Sequence, residues 1–166
     1  MPSIKPLVTQ GVKSYKAKDY LTAYKFFEEA LRAFPTSDEY STVDGEYIYR
    51  DVMRWKGLTE IKLGKLDKAV STLEDLANRL NFDSTEVVYF LALAKYYYSY
   101  FIPSAPSKIS SLKSALNGLK TVYSETSEYK SKFVTLMAII YVELKEPDEA
   151  VDLLRLSKAS GLVTKI

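Results

Sequence analysis

The sequence predicts an all-α solenoid of helical hairpins, and three observations lead there. Apolar residues recur at helical spacing along nearly the whole chain, with no alternating strand pattern in competition. Turn and breaker signals cut that periodicity into pairs of helices. One spacing also returns: a small residue, then small or apolar residues twelve, four and three positions further on. It runs Gly11, Ala23, Phe27, Ala30, then Gly57, Ala69, Leu73, Leu76, and more weakly Ala138, Ala150, Leu154, Ser157. Two helices packed back to back need small residues where their backbones come closest. A hairpin that repeats along a chain stacks into a solenoid, because no single hairpin buries its own apolar face.

The first hairpin spans about residues 4–37. Leu7, Val8, Gly11, Val12 and Tyr15 form one stripe, Lys16-Ala-Lys-Asp19 is a turn, and Tyr20 to Phe34 carry the second helix up to Pro35. Residues 38–49 are a polar insert with turn formers at Ser37-Asp38 and Asp44-Gly45, and its last part winds into the next helix. The second hairpin covers about 50–83, with Gly64 placed as a left-handed C-cap and a turn at Asn81-Phe-Asp-Ser84. The third, 84–129, is irregular. Its first helix, about 85–101, ends in Tyr96-Tyr-Tyr-Ser-Tyr-Phe101, a proline-containing loop follows, and the partner helix occupies about 107–123. The fourth, 131–164, turns at Lys145-Glu-Pro-Asp148, with Pro147 suited to a first helical position and Gly161 to a terminal cap.

Composition narrows the function classes. Of 166 residues 47% are hydrophobic and 27% charged, ordinary for a globular chain, and the net charge of +2 argues for neither nucleic acid nor an anionic membrane. Cysteine and histidine are both absent, which removes disulfides, thiolate metal sites, and the commonest general base and metal ligand. The paired carboxylates Glu28-Glu29, Glu74-Asp75 and Asp148-Glu149 fall among lysines at helical positions and read as solvated charge. There is no phosphate-binding glycine loop and no nucleophile motif. No catalysis, cofactor or metal is expected. The Met1-Pro-Ser-Ile-Lys-Pro start lacks the apolar run of a signal peptide, and no apolar stretch approaches the ~20 residues a bilayer needs, so a cytoplasmic location is expected.

With these residues in place, the chain resembles the tetratricopeptide-repeat family. Gly11, Tyr15, Asp19-Tyr20, Ala23, Phe27, Ala30 and Pro35 fall where that motif expects such residues. The second repeat keeps Gly57, Gly64, Ala69, Leu73 and Leu76 with Asn81 in the place of the proline. The fourth keeps Ala138, Tyr141, Ala150 and Leu154, while the third has Leu91 where a small residue is usual. The resemblance covers about four-fifths of the chain. It implies a single domain over 1–166, a right-handed α-α superhelix of about four hairpins whose first helices line a concave peptide-binding groove.

Matching positions carry that groove onto Val8, Val12, Tyr15 and Lys16, onto Arg54, Leu58, Ile61 and Lys62, onto Val88, Ala92, Lys95 and Tyr96, and onto Thr135, Ile139, Val142 and Glu143. Val12, Leu58, Ala92 and Ile139 would make an apolar floor, with Lys16, Lys62 and Lys95 to one side. The implied partner is a protein segment, amphipathic or extended, with apolar anchors and some acidic character. The competing reading is that several of these side chains pack between repeats. The family's lysine-rich clamp for chaperone C-termini is not expected, since its positions hold Val8, Val12, Trp55, Thr85 and Tyr89, none able to bind a carboxylate by charged hydrogen bonds.

Three other signals need weighing. Trp55 and the Tyr96–Tyr100 run read first as junction packing with hydroxyls at the rim, and second as recognition surface. Single-stranded RNA is a minor alternative, disfavoured by the lack of a dense basic stripe. The last helix carries Leu153 and Leu156 with no further helix to cover them. Either Leu162, Val163 and Ile166 fold back on them, or they form an assembly face for a second copy or another subunit. Gly45 and Gly118 read as isolated glycines of no specific role.

Overall fold

The computed structural model describes residues 2–123 and 130–159; Gly161, Leu162, Val163 and Ile166 lie outside them. Among the described residues there are eight α-helices and no strand, so the fold is all-α. The chain gathers into two compact units, Met1–Arg79 and Leu80–Ile166.

In the first unit, α1 (Lys5–Lys16) packs on α2 (Tyr20–Ala33), a 3-10 turn follows at Phe34–Thr36, and α3 (Val43–Lys62) packs on α4 (Leu66–Arg79). α3 also lies against α2 and touches α1. Ile4, Ala23, Phe27, Ala30, Phe34 and Val52 are the buried centre. The recurring glycines do what their spacing predicts. A Cβ on Gly11 would stand 2.4 Å from the Phe27 ring, and one on Gly57 2.6 Å from Leu73 Cδ2. No larger residue fits at either crossing without moving a fully buried side chain.

The insert is an anchor. The buried Glu39 carboxylate accepts hydrogen bonds from the Ser3 hydroxyl and from the Ile4 N–H at 3.2 Å, which caps the start of α1 from a distant part of the chain. Thr42 caps α3, its Oγ1 accepting from the Gly45 N–H at 2.8 Å and donating to the Glu39 carbonyl at 2.7 Å. Gly45 therefore has a specific role: a Cβ there would lie 1.7 Å from the Glu39 carbonyl oxygen. Gly118 has none, with only Val88 Cγ1 in reach at 3.9 Å.

In the second unit, α5 (Thr85–Ser99) packs on α6 (Ala105–Tyr123), and α7 (Lys130–Glu143) packs on α8 (Pro147–Ala159). Contacts of α6 with α7 and of α5 with α7 join the two hairpins. Its core holds Val88, Ala92, Leu112, Leu119, Phe133, Ile140 and Ala150. α7 buries residues almost all round, as expected of a central helix. Among the described residues no helix is long and apolar enough to cross a membrane.

The turns of the first, second and fourth hairpins share one geometry. Lys18 (φ 63°), Gly64 (φ 75°) and Lys145 (φ 62°) are each left-handed. In each turn the next residue's N–H returns to the carbonyl five positions back, Asp19 to Ser14, Lys65 to Glu60 and Glu146 to Tyr141, at 2.8–2.9 Å. This is the Schellman ending of a helix. α5 ends otherwise, in bonds from Tyr100, Phe101 and Ile102 to carbonyls three positions back.

Candidate functional site

Between α5 and α7 lies a trough of about 280 Å³. Tyr89, Leu93, Tyr96 and Tyr97 line it from α5, and Ser131, Lys132, Thr135, Leu136 and Ile139 from α7. Helical periodicity explains the α5 wall, because positions three, four and seven apart share a face. Tyr89, Leu93 and Tyr96 are half-buried against the core and form the floor, where the Tyr89 ring stacks on Phe133 at 5.8 Å. Beyond Tyr96, Tyr100 meets it edge-on at 5.5 Å. Their hydroxyls are 2.8 Å apart, and the Tyr100 hydroxyl donates to Glu143 Oε1 at 3.2 Å. Lys108 Nζ stands 5.2 Å from the Tyr100 ring. Burial pushes the Tyr96 hydroxyl up to about 12, helped by its bond to Tyr100 and by the nearby Glu143 charge, with Lys108 opposing. Burial, and then Tyr97, also raises Tyr89. Both phenols therefore keep their protons as hydrogen-bond donors at ordinary pH.

Of the residues expected in a groove, Tyr96 and Ile139 line this trough, Thr135 with them, and Val142 is exposed further along α7. Ile139 is 39% exposed, so it is reachable. Val88 and Ala92, at 3% and 2% exposure, are core residues and offer no ligand contact. Lys95 is directed to α6, donating to Ser114 Oγ at 2.9 Å. In the first unit Leu58 is buried at 8% exposure, and Val8, Val12 and Tyr15 pack half-buried on the core. Arg54 pairs with Asp51 at 3.0 Å and lies 4.7 Å over the Trp55 ring. Trp55 itself sits 5.0 Å from Tyr15 and stacks on Phe27 at 6.2 Å, the junction filler its position predicts. Lys16 and Lys62 are exposed or partly so, Lys62 Nζ 5.9 Å from the Tyr20 ring, and Ile61 is half-buried. Leu153 packs half-buried on the second unit's core, whereas Leu156 is 71% exposed.

Two features lie outside the expected site. On α5 the stripe of Tyr89, Leu93 and Tyr97 lines the trough, one or two positions along from the expected Val88, Ala92 and Lys95, while α7 faces it as the resemblance implied. The other is a polar network inside the first unit. Glu60, at 0% exposure, accepts from the Tyr24 hydroxyl at 2.7 Å and from Lys56 Nζ at 3.0 Å, and Lys56 also donates to Thr72 Oγ1 at 3.3 Å. Burial, then the bond to Glu60, raises the Tyr24 hydroxyl well above its usual range.

The helical pairing, the glycine crossings and the repeated turns define a tetratricopeptide-type repeat fold, and comparison with solved structures agrees. The structure is similar to that of TTC0263, a thermophilic TPR protein of Thermus thermophilus, with a TM-score of 0.71, 21% identity, and coverage of 95% of this chain and 74% of that one. No family model matches the sequence, and no curated protein does.

Proposed function

We propose that the protein is a non-catalytic interaction scaffold that holds a segment of a partner protein in the α5–α7 trough. The observation that carries this reading is an apolar trough with a tyrosine rim, set between the first helices of consecutive hairpins. The resemblance assigns ligand binding to those same helices. The test is capture of partners by wild type, by Ile139→Glu and by Lys113→Glu, a control on the outer face of α6. Loss of a captured partner with Ile139→Glu alone supports the trough. Retention by all three moves the function to another surface. Leu58→Glu would be a poor probe, since it places a charge in the core.

A second reading has one observation behind it, the exposure of Leu156 on α8. There α8 would be an assembly face for a second copy or another subunit. A concentration-dependent mass in solution that Leu156→Glu abolishes supports it, and an unchanged mass removes the self-assembling form of it.

A further inference from the structure

We infer that the outer face of α6 is a docking site for α8 of a second copy of this chain, so that copies join head to tail. This rests on α8 being the assembly face of the second reading above, and supplies the counterpart that reading lacks. Side chains four positions apart form a ridge along a helix. On α6 one exposed ridge is Ile109, Lys113, Asn117, and on α8 another is Asp148, Asp152, Leu156. Ile109 is 45% exposed and Leu156 71%. Among the described residues, the side chains of Lys113, Asn117, Asp148 and Asp152 have no hydrogen-bond or ion-pair partner. Laid antiparallel, the two ridges match at every step of about 6 Å. Leu156 meets Ile109, Asp152 meets Lys113, and Asp148 meets the Asn117 amide. Laid parallel, Leu156 would face Asn117 and Asp148 would face Ile109, so the residues select one direction. That direction also opposes the two helix dipoles favourably.

The surroundings agree. A surface depression of about 750 Å³ lies over this α6 face, lined by Pro106, Ile109, Ser110, Lys113, Ser114 and Asn117, and gives the leucine room. Neither α5 nor α6 carries an Asp or Glu after Glu86. Lys95 adds a second ammonium to the face through its bond to Ser114 Oγ at 2.9 Å. Lys108 turns away to the Tyr100 ring, and Lys120 lies by Tyr141 and the charges of Glu146 and Glu149. Arg155 is the cation nearest the α8 ridge, and in the antiparallel arrangement it stands level with the uncharged Ser110. The contact is heterologous, because α6 of one copy takes α8 of the next and each copy keeps one face free. Association therefore continues into chains or rings. A single helix-to-helix contact buries little area, so each association is weak.

The test is the mass of the full chain in solution as its concentration rises into the millimolar range. Wild type should grow beyond the dimer. Lys113→Glu sets like charges face to face and should weaken self-association about tenfold or more, with thermal melting unchanged because the residue is exposed. Leu156→Glu should do the same from the other side of the contact. Mixed together, these two variants retain one matched pair of faces, α8 of the Lys113→Glu chain on α6 of the Leu156→Glu chain. The mixture should form a one-to-one dimer and stop there. Joining Lys113→Glu to Asp152→Lys in one chain exchanges the signs of the pair and should restore self-association. A mixture that stays monomeric, or a double exchange that restores nothing, overturns the inference. Self-association that Leu156→Glu abolishes and Lys113→Glu leaves intact also overturns it, while α8 stands as an assembly face for another surface. One mass for wild type at every concentration overturns the inference and the self-assembling form of that reading together.

Discussion

The two units are built from the same pair of hairpins and solve the junction between first helices differently. Where α1 meets α3, Trp55 occupies the junction, held by Tyr15, Phe27 and the Arg54 guanidinium. Where α5 meets α7, tyrosines line the walls and a trough stays open. The interiors differ in kind as well. The first unit closes two crossings on glycine and buries an ion pair on Glu60; at the matching crossings the second has the buried Leu91 and Ala138. Close backbone approach and internal charge specify one packing. Large apolar side chains fill space with less demand on backbone separation and leave room for a surface cavity. The difference teaches that one repeat architecture can spend its variable positions on rigidity in one place and on an open surface in another.

The largest expected effect falls on that buried charge. Glu60→Ala strips the acceptor from the Tyr24 hydroxyl and from the Lys56 ammonium, and removing one partner of a buried pair costs about 3 kcal/mol. Its counterpart in the second unit, Ile139→Glu, changes an exposed side chain and should stay within about 0.5 kcal/mol. Trp55 is the single tryptophan of the chain, so its fluorescence reports the first unit during denaturant unfolding. Equal midpoints for the two variants would show that the network contributes nothing to the first unit.

Glycine exchange sharpens the same contrast. Gly57→Ala drives a Cβ against Leu73, which is fully buried, and overpacking of this kind costs about 1–3 kcal/mol. Gly118→Ala adds a methyl within α6 in ordinary van der Waals contact with Val88 and should stabilise by roughly 0.5–1 kcal/mol, the helix propensity difference. Thermal melting of both variants checks the pair of signs. A shift of both in the same direction would mean that the Gly57 crossing relaxes more easily than its geometry implies.

Legibility in the sequence divides along similar lines. Features that rest on local pattern are readable: the helices, the Gly11 and Gly57 crossings, the left-handed Gly64, Pro147 opening α8. Features that depend on which way a side chain turns are not. Lys95 and Tyr96 are adjacent, yet one bonds α6 and the other faces α7. Val88 and Ala92 share a helix with the trough residues but lie in the core, because α5 is packed on more than one side. Lys56 and Glu60 have the spacing of an ordinary surface ion pair, and only the approach of α2 and α4 encloses it. Glu39 gives no signal at all, since its partners, Ser3 and Ile4, lie more than thirty residues away along the chain.

Glu39 provides a break between the units that pH alone should produce. The Ser3 hydroxyl holds its carboxyl below the ordinary 4.5, burial opposes this, and the backbone bonds at Ile4 and Lys5 add to the lowering. A lowered folded-state value means that the ionised form stabilises the fold. The contribution is complete above about pH 4.5 and is lost as pH falls through the lower folded value. Acidification should therefore loosen the first turn of α1 before it affects α5 or α7. Amide exchange of α1 read from about pH 6 down to about pH 3 checks this. Glu39→Gln should remove the pH dependence, and an identical acid response in wild type and variant would sink the assignment.

The smallest effects belong to a feature that both units share. Gly64 and Lys145 occupy the same left-handed position of the same turn, one with the residue that tolerates it and one without. A side chain in that conformation costs roughly 1–2 kcal/mol, offset in part because glycine has more freedom to lose on folding. Lys145→Gly should then stabilise the second unit by under about 1 kcal/mol, and Gly64→Ala should destabilise the first by a similar amount. Lys145 is exposed, and its backbone N–H donates to the Val142 carbonyl at 3.0 Å, a bond that glycine keeps, so the exchange chiefly alters backbone preference. If melting shows both substitutions destabilising, the Lys145 side chain must stabilise its turn by some contact, and the equivalence of the two turns would be one of backbone path only.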